Sequence, residues 1–339
     1  MATIGTTRLT VNRDVDAALR RREGLLERLH AEETDCYRLF HGAVEGRPGL
    51  ALDRYGSVLL AQTWREPLAE GELHRLNDQV ESALGVSLTP VWNHRERGRG
   101  RRSFKVFHDV APLQTTCREL GLEYDARPRH HGRDPLLFLD FRAARRRVLK
   151  AARDCTVLNL FAYTCGIGVC ASRGGAREVL NVDFSETALQ IGEENAARNR
   201  VGDSFSTLRE DVIPVLRQFS GLGLSGRAAR QKFVRLEPRT WDLIVLDPPR
   251  RAKGRFGAVD VVRDYASLLK PVIHATAPDG EILATNNVAS VDVDHWLKEI
   301  RRCAGKAGRH VQDIELIAPE SDWPSPDGMH PLKMAWVRL

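Results

Sequence analysis

No apolar run in the 339-residue chain approaches the ~20 residues that a membrane-spanning helix needs. The stretch Met1–Asp14 has no apolar core of the kind that marks a secretory leader. Both absences lead us to expect a cytoplasmic protein with no membrane association. The six cysteines, at 36, 117, 155, 165, 170 and 303, include no Cys-x-x-Cys pair and have no histidine cluster beside them. That pattern argues against a structural zinc site or any other bound metal, and disulfides are not expected in the cytosol. Cys155 and Cys170 flank an apolar strand-and-helix stretch and read as small core residues. The chain also lacks internal repeats and low-complexity tracts.

What is present is enough chain for one α/β domain with its own core and a smaller companion. The net charge of +6 points weakly to an acidic partner, and its distribution says more. Arg95, Arg97, Arg99, Arg101, Arg102 and Lys105 crowd into HRERGRGRRSFK, and Arg230 and Lys232 sit in a second basic stretch, Gly226–Arg235. Each reads either as a solvated loop or as a set of phosphate contacts on a nucleic acid.

Leucine spacing predicts an amphipathic helix over 14–32. Turn residues predict a hairpin of Leu50–Asp53 and Val58–Thr63 around Tyr55-Gly56, with a helix at Gly71–Leu84. These make a small α+β unit ending near residue 125. LLFLDF, 136–141, reads as a strand or hairpin segment, and Arg142–Ala152 as a basic helix. Apolar strands then alternate with helices. Strands are expected at Thr156–Phe161, Glu178–Asp183, Ser206–Glu210, Trp241–Asp247 and Glu281–Asn286. Helices are expected after Gly168, at Glu186–Asn199 and at Ala258–Ala277, with Leu332–Leu339 as a closing edge strand. That alternation implies a mostly parallel, doubly wound sheet.

Four features fall at successive strand ends. In VLNLFAYTCGIGVCASRGGA, 157–176, a strand runs into a small-residue turn and then a helix. Such a turn presents backbone N–H groups where open α/β sheets bind ligands. Asp183 ends the next strand, 17 residues after Gly166, where an acidic side chain can accept both hydroxyls of a ribose. The other reading, a helix cap, suits Ser185 better, with Ala188 at its third position. Asp211 follows the third strand and suits the exocyclic amine of an adenine, or is an exposed turn aspartate. WDLIVLDPPR, 241–250, drives a strand into Asp247 and two prolines that fix the shape of the exit.

Residues 157–200 and 241–292 resemble the bacterial large-subunit ribosomal RNA methyltransferases of the cytosine-5 and guanine-N7 type. The likeness extends to DPLLFLDFRAARR at 134–146, to YRLFHGAVEGRPGLALDRYG at 37–56 and to SDWPSPDGMHPLKMAWV at 321–337, so it spans roughly 36–339. It implies a Rossmann-like class I methyltransferase domain at 126–339, a small α+β domain with RNA contacts at 36–125, and a helical extension at 1–35. It also implies S-adenosylmethionine as cofactor. Phe161, Tyr163, Thr164 and Gly166 match the methionine-binding turn, and Asp183 with Phe184 the ribose region. Asp211 matches the adenine ligand, and Asp247 the acidic end of the fourth strand. Asp140, Arg142 and Arg145 match an upstream segment that covers the cofactor, where an arginine pairs with the methionine carboxylate.

Three departures from the family stand out. Cys165 replaces the usual glycine. The amino-terminal RNA-binding module of some members is expected to be missing. And Asn286 and Asn287 stand where cytosine-5 members carry cysteines, which resembles the guanine-N7 branch. We therefore expect an RNA methyltransferase, ribosomal RNA first, acting at guanine N7 through Asp247, Pro248, Asn286 and Asn287. The alternatives are methylation of an exocyclic amine (N2 of guanine or N6 of adenine), a protein or small-molecule acceptor, and a non-catalytic RNA assembly factor that binds the cofactor. The bland reading of Asn286-Asn287 is a polar turn capping a strand.

Overall fold

The computed structural model describes residues 3–95, 104–107, 115–127, 135–224, 230, 232–254, 257–260 and 262–339; for 3–12, 104–107, 252–254 and 257–259 it gives the backbone alone. The chain forms two compact units. The first holds Met1–Arg142 together with Glu320–Met329, and the second holds Ala143–Pro319 with His330–Leu339.

In the first unit a long helix, α1 (Thr3–Ala31), precedes β1 (Cys36–His41), β2 (Leu50–Tyr55) and β3 (Val58–Thr63). Helix α2 (Glu72–Leu84) then leads to β4 (Thr89–His94) and β5 (Phe104–Phe107), and a separate hairpin pairs β6 (Thr116–Glu119) with β7 (Leu122–Asp125). The five-stranded sheet runs β1-β2-β3-β4-β5 and is antiparallel except for β3 and β4, the pair that α2 connects. The β2–β3 turn is Gly56-Ser57, and Gly56 takes a φ of 57° that a side chain would resist. Leu19, Leu26 and Leu29 of α1 share one apolar cluster with Leu39, Leu52, Leu59, Leu76 and Val80. So α1 is part of this unit's core, whereas the sequence reading set 1–35 apart. LLFLDF is not a strand: Leu139–Phe141 is a 3-10 turn that runs into the next helix. Its alternation of buried and less buried residues mimics a strand, a known ambiguity of short apolar runs.

Charge is buried in this unit in an ordered way. Arg22 donates to both oxygens of Glu45 (2.7 and 2.8 Å), and Arg38 to both oxygens of Asp53 (2.8 and 3.0 Å). Arg142 meets Glu119 (3.2 Å), Glu320 (3.1 Å) and Asp322 (3.1 Å), and it donates to the Cys36 carbonyl (2.9 Å). Asp322 also accepts the Arg38 N–H, so the returning segment 320–329 is tied to β1. His41 accepts from Arg38 through Nδ1 (2.9 Å) beside the Trp323 ring. Burial first, then the Arg38 charge, lower its pKa to about 4. The native ring therefore stays neutral where the unfolded chain takes up a proton, so this contribution to stability is lost as the pH falls from 6.5 towards 4. Replacing His41 with Gln should flatten the fall in urea midpoint between pH 7 and pH 4; an unchanged slope would clear His41 of that role.

The second unit begins with α3 (Arg142–Ala151), whose first residue closes the first unit. It continues with β8 (Thr156–Leu160), α4 (Gly166–Arg173), β9 (Glu178–Asp183), α5 (Glu186–Arg198), β10 (Phe205–Arg209), α6 (Val212–Phe219) and β11 (Trp241–Leu246). A small hairpin, β12 (Arg251–Gly254) and β13 (Gly257–Asp260), precedes α7 (Tyr265–Ala275), β14 (Thr276–Asn286), α8 (Val293–Lys306), β15 (Asp313–Ile317) and β16 (Lys333–Arg338). The sheet order is β10-β9-β8-β11-β14-β16-β15. The first five strands are parallel, and β16 runs antiparallel to both of its neighbours. The unit is thus the doubly wound α/β fold that the alternation of elements predicts.

Two expectations fail here. β16 is not the edge strand, because β15 covers it. The helix expected from Ala258 begins only at Tyr265, since the preceding residues pair as β13. Sheet positions such as Leu158, Leu160, Val182, Ile244, Leu246 and Ile282 are buried against α6, α7 and α8, which is why these strands read as unbroken apolar runs. The strand order reverses between β8 and β11. Open sheets of this kind bind ligands outside the carboxyl ends of the strands at such a switch point.

Candidate active site

At the carboxyl end of β8 the chain turns through Phe161, Tyr163 and Cys165, which have φ of 58°, 49° and 59°. Three left-handed non-glycine residues in five cost on the order of 1–2 kcal/mol each, so the surrounding contacts must hold the turn. Four contacts do so. The Ala162 N–H donates to the Val182 carbonyl (3.0 Å), and the Tyr163 N–H donates to Asp183 Oδ2 (3.0 Å). The Cys165 N–H donates to the Ala162 carbonyl (2.8 Å), and Asn195 of α5 donates to the Thr164 carbonyl (3.2 Å). Gly166 then opens α4, whose N-cap residue, Cys165, makes no side-chain capping bond. By contrast Ser185 caps α5, Asp211 caps α6 and Asp292 caps α8. Helix α4 lies close on the sheet because residue 168 is glycine: a Cβ there would collide with Asn181, which accepts from Asn159 (2.8 Å) and donates to the Ser206 carbonyl (3.0 Å).

Cys165, the departure from the family pattern, is fully buried against Ala162 and Leu189. Burial, and after it the Asp183 charge, push its thiol well above the usual range, so it is a packing group and not a nucleophile. Its sulfur occupies the space that a Cβ on Gly192 would need. We expect Gly192→Ala to cost about 1–3 kcal/mol by overpacking. The Cys165→Gly, Gly192→Ala double variant should recover much of that. Strict additivity in urea denaturation would show that the two positions do not share the space.

Asp183 ends β9 with 7% exposure, and its Oδ1 accepts the Ser185 N–H (2.8 Å). Burial raises its pKa, against the pull of the backbone donors at Ser185, Tyr163 and Phe184. Phe184 beside it is 65% exposed, an aromatic face left open at the strand end. Ser185 accepts from the Ala188 N–H (3.3 Å), the cap that the sequence assigns to it. Asp211 is partly buried and accepts the Ile213 N–H through Oδ1 (2.9 Å).

Strands β11 and β14 pair Leu246 with Ala284, which brings Asp247 and Thr285 together; the Thr285 hydroxyl donates to Asp247. Pro248 is buried behind Asp247. Asn286, 1% exposed, accepts the Val288 N–H through Oδ1 (3.0 Å). An N–H can only donate, so this bond fixes which end of the amide is oxygen. The Nδ2 group then stands buried with no acceptor among the described residues. Asn287 is exposed.

Sequence reasoning did not single out Thr285 or Lys333. Lys333 is the register partner of Asn286, and its ammonium donates to the Val288 (2.9 Å) and Pro331 (3.0 Å) carbonyls. Burial lowers its pKa. The only sequence signal for it is its place in the carboxyl-terminal motif.

The remaining predicted residues scatter. Arg142 is fully buried inside the first unit's carboxylate network, so its guanidinium is engaged there and does not offer the expected carboxylate fork. Asp140 belongs to the same unit, within electrostatic reach of Arg38. Arg145 is buried on α3 in the second unit. Arg99, Arg101 and Arg102 lie outside the described residues, as does the side chain of Lys105. Arg230 and Lys232 are exposed.

A doubly wound sheet in this order, with a turn and an acidic residue at its switch point, defines a nucleoside-cofactor enzyme of the class I methyltransferase type. The chain belongs to the S-adenosylmethionine-dependent methyltransferase family, whose model matches residues 37–336, and it is a class I S-adenosylmethionine-dependent methyltransferase. It is 30% identical over 328 residues to ribosomal RNA large subunit methyltransferase I of Aeromonas hydrophila, covering 92% of this chain and 77% of the relative. With the protein of the same name from Aeromonas salmonicida it shares 31% identity over 298 residues, 85% of this chain and 70% of the relative. Among solved structures, a methyltransferase complexed with SAH superposes with a TM-score of 0.78 at 22% identity, covering 98% of this chain and 82% of that one. No helix among the described residues is long and apolar enough to cross a membrane.

The residues present fit the family's cofactor. The Asp183 carboxylate is a buried acceptor beside an open aromatic ring, and the turn after β8 is tied to it through the Tyr163 N–H. When bound, S-adenosylmethionine supplies an electrophilic methyl group on a sulfonium.

Proposed function

We propose that this protein methylates RNA, with large-subunit ribosomal RNA as the substrate and N7 of a guanine as the acceptor. The observation that carries the choice of atom is the Asn286 amide. Its Nδ2 is a buried donor at the end of β14, one residue past Thr285, and it has no acceptor among the described residues. Leaving such a donor unmet costs about 1–3 kcal/mol, which an acceptor on the substrate recovers. Guanine O6 is an acceptor next to N7, whereas the N6 amine of adenine is a donor. N7 has an in-plane lone pair and no proton to lose, so transfer there requires no general base.

Asp183 and Phe184 would hold the ribose and adenine of the cofactor, with Asp211 towards the adenine. The turn Phe161–Gly166 would hold the methionine end, and Arg145 remains our assignment for its carboxylate. Asp247, fixed by Thr285, and the Pro248 carbonyl would accept from the base's N1 and N2 groups. These residues bind and align; alignment and exclusion of water supply most of the acceleration for an in-line transfer. In duplex RNA the N7 edge faces a deep, narrow groove, so the target must be unpaired or flipped, at a cost of a few kcal/mol.

The relatives named above act on large-subunit ribosomal RNA, which supports that substrate. The six cysteines also argue against a covalent adduct of the cytosine-5 kind: none falls at the ends of β11 or β14. N7-methylguanosine is cleaved by borohydride and aniline. Ribosomal RNA modified by the purified enzyme should therefore break at a discrete site. Methyl incorporation without cleavage would move the acceptor to an exocyclic amine, the reading that the Asp-Pro-Pro corner also suits.

A further inference from the structure

The hairpin β12–β13 grows directly out of the catalytic corner. Asp247, Pro248 and Pro249 end β11, and β12 starts at Arg251. Three residues separate Asp247 from Arg251, a span of at most about 14 Å when fully extended. Arg251 pairs in register with Asp260, so Arg250 and Arg251 enter the base of the hairpin and Arg263 lies three residues past its exit. All three arginines are exposed. Among the described residues the guanidinium groups of Arg250 and Arg263 have no ion-pair partner, and Arg251 only grazes Asp260 at 3.8 Å with 67% of its side chain exposed. The carboxylates nearby also accept backbone bonds. Asp260 Oδ1 accepts the Val262 N–H (3.0 Å), and Asp264 Oδ2 accepts the Asp260 N–H (3.4 Å).

Some other surface arginines of this unit are paired off. Arg177 meets Asp242 (3.2 Å), Arg209 meets Glu186 (2.6 Å) and Arg239 meets Glu178 (2.8 Å). Arg250, Arg251 and Arg263 are the exposed arginines that flank the hairpin where the chain leaves the methyl-transfer corner. An arginine fork matches two phosphate oxygens at once, which a lysine point charge does not.

We propose that Arg250, Arg251 and Arg263 form a clamp for the phosphodiester backbone on either side of the target nucleotide. It holds the strand while the base enters the Asp247–Asn286 corner. This rests on the RNA reading above. A clamp at this place reads no sequence; it fixes register, as phosphate contacts do.

The test is the salt dependence of binding to deproteinised large-subunit ribosomal RNA and to a single-stranded RNA 20-mer, with S-adenosylmethionine affinity measured alongside. For single strands each phosphate contact contributes about 0.7 to the slope of log affinity against log salt. The Arg250→Gln, Arg251→Gln, Arg263→Gln triple variant should lose about 2 from that slope and keep its cofactor affinity. Each single variant should lose roughly a third of this change, which protects the test if the triple fails to fold. The corresponding lysine triple should keep most of the slope but lower kcat/KM on RNA, because the bidentate register is gone. A steep wild-type slope that the glutamine variants leave unchanged overturns the clamp and leaves the RNA reading standing. A flat wild-type slope overturns both.

Discussion

Replacing Arg142 with Met should destabilise the protein by about 3–5 kcal/mol, the scale of removing one partner from a buried ion-pair network. The side chain is fully buried, and its loss leaves Glu119 and Asp322, both 0% exposed, facing one another without the cation. Burial already pushes the Asp322 carboxyl up, and Arg142 and the Arg38 N–H are what pull it back. With Arg142 gone, the folded state holds an Asp322 carboxyl raised still further above its unfolded value. Stability is then lost as the pH rises through that window. The deficit against wild type should therefore be larger at pH 8 than at pH 5 in urea denaturation. Because the Arg142 guanidinium is engaged by Glu119, Glu320 and Asp322, whatever protein remains folded should bind S-adenosylmethionine normally. A variant that folds with wild-type stability but loses cofactor affinity would return Arg142 to the cofactor.

The second large effect is expected at Asp183. Changing it to Ala removes the charged acceptor that we propose for the ribose, about 1.5–3 kcal/mol or roughly 10- to 150-fold in affinity. It also strips the acceptor from the Tyr163 and Ser185 N–H groups, so the strained turn 161–165 loses one of its supports. The raised pKa adds a pH signature: cofactor binding should weaken on acidification above the ordinary aspartate range. Calorimetry at pH 7.5 and pH 5 reads both, and unchanged affinity in Asp183→Ala would remove this residue from the site.

Much of the second unit was legible because parallel strands buried on both faces leave unbroken apolar runs, as in Trp241–Leu246. The turns between them carry their own chemistry, as at Ser185. The first unit's hairpin was equally plain from Gly56. The misreadings share one physical cause, contacts made far along the chain. Arg142 matched a motif, but its partners at 119, 320 and 322 are brought together only by the fold. LLFLDF alternates like a strand yet finds no strand to pair with. The tail strand has its outer edge covered by β15, a five-residue segment that the sequence reading did not single out. Thr285 and Lys333 were missed because neither residue type nor spacing marks them; their roles come from the register between β11, β14 and β16.

The most direct test of the crevice is hydrogen–deuterium exchange with and without saturating S-adenosylmethionine. The geometry predicts slowed exchange in the peptides covering Phe161–Gly168 and Asp183–Ser185, with the first unit's sheet little changed. Cofactor binding that leaves both of those segments exchanging as in the free protein would contradict the placement of the site.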